Sequence, residues 1–420
     1  MSEQININAR DRDILRRLAE RKAKIADLPI QKQRKDMWSR LNRLERVRPL
    51  VWLNEVPWHE MNVNDELTLQ TSDKFCQGLE WQLRMELYQW EHMQVDMVVE
   101  PAVDCPLAVA NTGFGINEDV EAIKLDQKSS VISRHFKIQM RDEKDIVKIK
   151  DPVVTHDAKL SEERCQILSG IFDGVIPVRK SGARGFWFAP WDELIRWTGV
   201  EEALTDMALR PDYIHAVINR LVEAYLKMLD QYEALGLLAL NNNNARIGSG
   251  AYGYSDELPQ KGFNAALVRT ADLWGCATAQ IFSDVSPEMH WEFALQYEMR
   301  WLKRFGMNYY GCCEPLHNKL EILKRVPRLR KISVSAWMDA KKAVMEAGGK
   351  YVFSLKPNPA CLAEDAWRPE LARKELETKL DITRGCPVEI IMKDISTVRY
   401  EPQRLWEWAK IALETSEKFT

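Results

Sequence analysis

The 420-residue chain is defined first by what it lacks. No apolar run reaches about 18 residues, so no membrane-spanning helix is expected. The first 45 residues are charged and helix-like, without the apolar core of a secretory signal, and a cytoplasmic location is the expectation. Neither sign of charge dominates. Lys+Arg number 59 against Asp+Glu 62, a net −3, which gives no electrostatic reason to expect nucleic acid or an anionic membrane as partner. Cysteine is sparse: Cys76, Cys105, Cys165, Cys276, Cys312, Cys313, Cys361 and Cys386 are scattered, which argues against a disulfide scaffold and for reduced thiols. Internal repeats and low-complexity linkers are missing, so residues 46–420 read as one domain behind an N-terminal helical extension, residues 1–45.

What is present is an alternation. Short apolar runs at residues 49–54, 96–100, 174–178, 237–241, 308–312, 331–335, 351–355 and 388–392 read as strands. Helical stretches separate most of them, at 71–92, 211–235, 287–305, 314–326, 338–346, 368–384 and 402–418, after helices over 11–26 and 31–44. Continuous apolar strands alternating with helices imply a parallel sheet buried on both faces. Eight such units predict an α/β fold, a single (β/α)8 TIM-type barrel. No glycine-rich phosphate loop follows any run, which leaves the doubly wound open sheet without support. Two stretches exceed a minimal barrel: residues 111–157, with a strand expected over 135–139, and a long inserted loop near 242–286, rich in Asn and Gly.

Barrel sites lie at the C-terminal ends of strands, so the polar residues that end each run are the candidates. They include Asn54, Glu55 and His59; Glu100 and Asp104; Arg179 and Lys180; Tyr310, Cys312, Cys313, Glu314 and His317; Lys356 and Asn358; and Lys393 and Asp394. A crown of ionisable groups is costly to bury unless it is paired or faces a polar pocket. The densest segment is Tyr309-Tyr310-Gly311-Cys312-Cys313-Glu314-Pro315-Leu316-His317. Pro315 suits a first helical turn, and a helix N-terminus there would lower a cysteine pKa. Thiolate with imidazole is zinc chemistry, so Cys312, Cys313, Glu314 and His317 are the candidate metal ligands. The 15 tryptophans fill a core or wall an apolar pocket; Trp58 and Trp187 are candidates for the second role.

Certain segments match a known family: Arg48-Pro49-Leu50-Val51-Trp52, residues 96–104, residues 142–150, Trp187-Phe188-Ala189-Pro190-Trp191 through Gly199, residues 286–293, residues 310–315 and Lys356-Pro357-Asn358-Pro359. From about residue 46 to 418 the chain resembles the uroporphyrinogen decarboxylase superfamily, which also contains cobalamin- and thiol-dependent methyltransferases. The resemblance implies the (β/α)8 barrel. It places Asp104 where the decarboxylases keep a catalytic aspartate. Where they carry an arginine-rich signature after the first strand, this chain has Leu53-Asn54-Glu55-Val56-Pro57-Trp58-His59, without arginine. Thiol methyltransferases of the family bind zinc through His-x-Cys after a middle strand and a Cys after the last. Here those places read Tyr310-Gly311-Cys312 and Lys393-Asp394.

The resemblance therefore implies a methyltransferase that moves a methyl group between a small methylated substrate and a corrinoid (cobalamin) carried on a partner protein, with zinc as an expected cofactor. Asp104, Glu55, Glu100, Lys393 and Asp394 are the expected catalytic groups. Trp58, His59, Trp187, Tyr310, Lys356 and Asn358 are the expected substrate-binding residues. The alternative is a metal-independent decarboxylase of a porphyrinogen or other carboxylic acid, needing no cofactor and centred on Asp104. A non-catalytic binding protein on the same barrel is the third reading. A homodimer is the expected assembly.

Overall fold

A computed structural model describes residues 7–123 and 133–419. Eight strands carry the parallel architecture: β1 (Leu50–Leu53), β2 (Val103–Pro106), β3 (Val178–Ser181), β4 (Trp274–Ala277), β5 (Met307–Tyr310), β6 (Leu329–Val334), β7 (Val352–Leu355) and β8 (Val388–Met392). Six form one all-parallel sheet in the order β1-β8-β7-β6-β5-β4. β2 and β3 form a separate parallel pair, and Ala183 makes one parallel bridge to Leu238. β4, β5, β7 and β8 are buried at every position, as parallel strands covered on both faces must be. Mixed α/β structure with a six-stranded parallel sheet under helices is consistent with a TIM-type fold; among the described residues, no ladder joins β4 or β1 to the β2–β3 pair.

The expected strands at 49–54, 308–312, 331–335, 351–355 and 388–392 are present with shifted ends. Five expectations are corrected. Residues 96–99 are buried but form no strand ladder: the Asp96 amide donates to the Val51 carbonyl of β1 (3.2 Å), and side chains take up backbone groups of the others. Trp38 donates to the Asp96 carbonyl (2.9 Å), Arg34 to that of Met97 (2.9 Å), and Gln31 accepts from the Val99 amide (3.0 Å). The strand expected at 174–178 begins only at Val178, and residues 237–241 contribute one bridge. The strand expected over 135–139 is instead Ser133–Phe136, antiparallel to Val120–Ile123. The loop near 242–286 contains β4. Its asparagines substitute for backbone partners: Asn241 both accepts from and donates to Trp274 (2.9 Å each), and Asn242 donates to the Ser255 and Leu258 carbonyls.

The N-terminal helices α1 (Ala9–Ala26) and α2 (Pro29–Asn42) pack on the body. Asn8 caps α1, and the buried Asp11 carboxylate accepts from Ser72 and Asp73 at the start of α3 (Lys74–His92). Ile14, Leu15, Leu18 and Ala19 of α1 share a core with Cys76, Leu79, Leu83 and Leu87 of α3 and Leu168 and Phe172 of α4 (Ala158–Phe172). Truncating Leu15, fully buried there, to Ala would cost about 2–5 kcal/mol. No helix among the described residues is long and apolar enough to cross a membrane. All eight cysteines are free of disulfides.

Candidate functional site

Adjacent residues of a strand face opposite sides, and Tyr309 and Tyr310 show the consequence. The Tyr309 hydroxyl meets Ser249 (3.0 Å) and the ammonium of Lys356 (3.1 Å). Tyr310 points into the helix layer, where its hydroxyl lies 2.7 Å from both Glu298 and His290. Tyr310 was expected to bind substrate; the strand's parity assigns the polar interior to Tyr309 instead. A π-helical turn over Trp291–Leu295 inserts one residue between His290 and Glu298, so both reach the same hydroxyl from one helix face.

Past β5 the chain does not enter the helix expected over 314–326; only Leu320–Leu323 is helical. Gly311 turns at φ 96°, where an added Cβ would lie 2.7 Å from Leu316. Glu314, fully buried, then accepts from the Cys312 amide (2.9 Å) and the Thr278 hydroxyl (2.9 Å), and that turn replaces the helix start. Burial pushes the Glu314 carboxyl up.

The helix-terminus account of the cysteine is thus corrected, and a different cause replaces it. The Sγ atoms of Cys312 and Cys313 are 3.6 Å apart. The Cys313 thiol stabilises a Cys312 thiolate; burial opposes this, and the ammonium groups of Lys393 and Lys356 reinforce it, bringing Cys312 down to about 7. Cys313, holding the proton for its neighbour and partly buried, is pushed up. Lys393 Nζ lies 3.8 Å from Cys312 Sγ, 2.8 Å from Asp394 and 3.7 Å from Glu55. Burial disfavours the Lys393 ammonium, but Cys312, Glu55 and Asp394 hold it above its ordinary value. Lys356 is fully enclosed, and burial with the like charge of Lys393 brings it down to about 8.

Glu55 sits in the left-handed region (φ 52°), as does Asp394 (φ 55°), and both strand ends turn toward each other. Burial raises the Glu55 carboxyl, but Asp394, Lys393 and Arg246 (2.8 Å) outweigh it and hold it at about 2. Asp394 is pushed up by burial and by Glu55. The ends of β1, β5, β7 and β8 thus bring Glu55, Cys312, Lys356, Lys393 and Asp394 together, from four strands of the six-stranded sheet.

The other expected residues lie elsewhere. Asp104 is no free carboxylate: Arg179 and Arg184 each contact it at 2.7 Å. Glu100 pairs with Lys35 (3.2 Å) and accepts from the Tyr254 hydroxyl. Asn358 accepts from the Ala360 amide at the start of a short helix (3.0 Å), a turn role. His59 lies 3.5 Å from Glu60. Trp58 meets Trp81 and Tyr88 edge-on and lines a cavity of about 380 Å3 with Trp52, Glu55 and Tyr252. Trp187, 43% exposed, lines a second cavity of about 400 Å3 with Arg184 and Arg246. Neither Arg184 nor Arg246 was foreseen. Arg184 follows β3 closely enough that the strand-end rule reaches it; Arg246 lies inside the asparagine-rich loop and had no such signal.

As placed, Cys312, Cys313, Glu314 and His317 do not form one zinc donor set. His317 Nδ1 accepts from the Asp339 amide (3.2 Å), Glu314 spends its oxygens on protein donors, and an ammonium faces Cys312. Among the described residues, the grouping of three potential ligands within 4.8 Å is Glu66, Glu91 and His92, where His92 pairs with Glu66 (2.8 Å) and stacks on Trp406.

This is a mixed α/β protein with a charged cluster at the C-terminal ends of a parallel sheet, the position that TIM-type folds use. No family model matches the chain, and no curated protein matches it. Among solved structures, a methyltransferase from Methanosarcina mazei is similar, with a TM-score of 0.51 and 12% identity over 92% of this chain and 98% of that one. At that identity the likeness is one of fold.

Proposed function

We propose that the chain is a methyltransferase that moves a methyl group between a small methylated substrate and a corrinoid carried by a partner protein. The observation that carries the reading is the Cys312 thiol near neutrality, faced by Lys393 at the strand ends. A corrinoid would supply the cobalt centre that takes up or releases the methyl group. Demethylation leaves an electron pair on the substrate heteroatom, which needs a proton. Cys312 Sγ–H would give it, and Lys393 would hold the resulting thiolate. A donor titrating near working pH suits general acid catalysis. Glu55, fixed by Arg246 and Lys393, would stay ionised and keep Lys393 charged throughout. The similarity of fold to a methyltransferase supports the reading. The decarboxylase reading has less support, because two guanidinium groups already contact the Asp104 carboxylate.

The test is spectroscopic. Chemically reduced cob(I)alamin is mixed with the protein and a panel of methyl alcohols, methylamines and aryl methyl ethers, and methylcobalamin is followed by its visible absorption. Enzyme-dependent methylcobalamin with at least one class is expected, slowed about 10²–10⁴-fold in Cys312→Ala. Formation unaffected by Cys312→Ala would remove the thiol from the reaction, and no formation with any class would contradict methyl transfer.

A further inference from the structure

The cavity of about 400 Å3 beside the strand ends falls in the size range of small-molecule sites, and its two walls differ in kind. One wall is aromatic: Phe186 and Trp187 line it, with Trp274 and Phe305 almost fully buried beside them. A Cβ added at Gly185 would meet nothing within 4 Å, so the backbone there opens on free space. Trp187 leaves 43% of its surface exposed, a large apolar area to leave without a partner.

The other wall carries Arg184 and Arg246, and its charges are unevenly matched. Arg179 and Arg184 share the single carboxylate of Asp104. Arg246 shares Glu55 with Lys393, whose other carboxylate partner is Asp394. Two cations, Arg179 and Arg184, therefore rest on one carboxylate. Arg184 Nε is buried with no hydrogen-bond partner. A guanidinium presents five donors in a planar fork that matches a carboxylate, and an unused buried donor is costly unless a ligand completes it.

We infer that this cavity takes a small aromatic carboxylate, its ring against Phe186 and Trp187 and its carboxylate on Arg184 and Arg246. The inference deepens the methyltransferase reading by naming a substrate class for the cavity that Arg246 joins to Glu55, and rests on that reading only for the site's purpose. An aliphatic anion would leave the aromatic wall unused, and a neutral aromatic would leave the surplus cation unmatched.

The test is equilibrium binding without corrinoid or methyl donor. Tryptophan fluorescence is titrated with benzoate and with benzyl alcohol, its neutral counterpart. Benzoate should saturate the signal with a Kd about tenfold or more below that of benzyl alcohol. Arg184→Gln should weaken benzoate by about tenfold and leave benzyl alcohol unchanged. Asp104→Asn removes the competing carboxylate and should tighten benzoate. Equal binding of the two ligands would overturn the inference. So would an unchanged benzoate Kd in a folded Arg184→Gln protein; if that variant fails to fold, absence of tightening in Asp104→Asn decides against it. Benzoate binding without methyl transfer would contradict the proposed reaction alone, whereas methyl transfer from neutral donors without benzoate binding would contradict this inference alone.

Discussion

Two lysine–anion clusters stand on β8 four residues apart, and they do different things. Glu389 and Lys331 of β6 form a pair at 2.8 Å with both side chains fully buried. Lys331 also donates to the Tyr252 carbonyl (3.0 Å), and Glu389 accepts from the Ala251 amide (3.2 Å) and the Ser354 hydroxyl. Every strong partner comes from the protein, so nothing is left for a ligand. At the strand end, Lys393 meets Cys312, Glu55 and Asp394 in a cluster whose members have divided loyalties. A completed ion pair inside a sheet is structure. A cluster with competing partners beside a cavity is where chemistry is available.

The contrast is sharpest in stability. Glu389→Ala would strand the Lys331 ammonium in the interior and cost about 3–5 kcal/mol in urea unfolding. Lys393→Ala leaves Glu55 with Arg246 and should cost about 1.5 kcal/mol or less. Equal costs would erase the distinction between the two clusters. The Tyr310 network adds an effect that depends on pH. Burial pushes Glu298 up to about 8. The folded state then holds a proton that the unfolded chain releases near its ordinary value, 4.5. The native state binds more protons between those values, so stability is full below about 4.5 and falls as pH rises to about 8, on the order of a few kcal/mol. Glu298→Gln should flatten that slope in unfolding curves measured across pH 5–8. An unchanged slope would assign the pH dependence elsewhere.

Much of this was legible in the sequence, for a physical reason. Fully buried parallel strands are continuous apolar runs, so β1, β5, β6, β7 and β8 could be read directly, and the strand-end rule led from them to Glu55, Cys312, Lys356, Lys393 and Asp394. β4 was hidden because its run, Trp274-Gly275-Cys276-Ala277, lies in a segment that reads as loop. Residues 96–100 looked like a strand because burial sets apolarity, while pairing depends on neighbours; Trp38, Arg34 and Gln31 took the backbone partners. The missing helix after Pro315 turned on Glu314, whose carboxylate bonds to Thr278 from a distant segment. Asp104 could be recognised as a strand-end carboxylate, but its neutralisation by Arg179 and Arg184 is tertiary information.

The central claim is that Lys393 and Cys313 bring the Cys312 thiol to titrate near neutral pH, so that it can give up its proton and be held as thiolate afterwards. The direct measurement is the rate of iodoacetamide alkylation at Cys312, followed by peptide mass spectrometry from pH 5 to 10 in wild type and Lys393→Gln. Thiolate alone reacts, so the rate should be half-maximal near pH 7 in wild type and should move up toward the ordinary thiol value, 9.0, when the ammonium is removed. A wild-type midpoint already near 9, or one that Lys393→Gln leaves in place, would contradict the account.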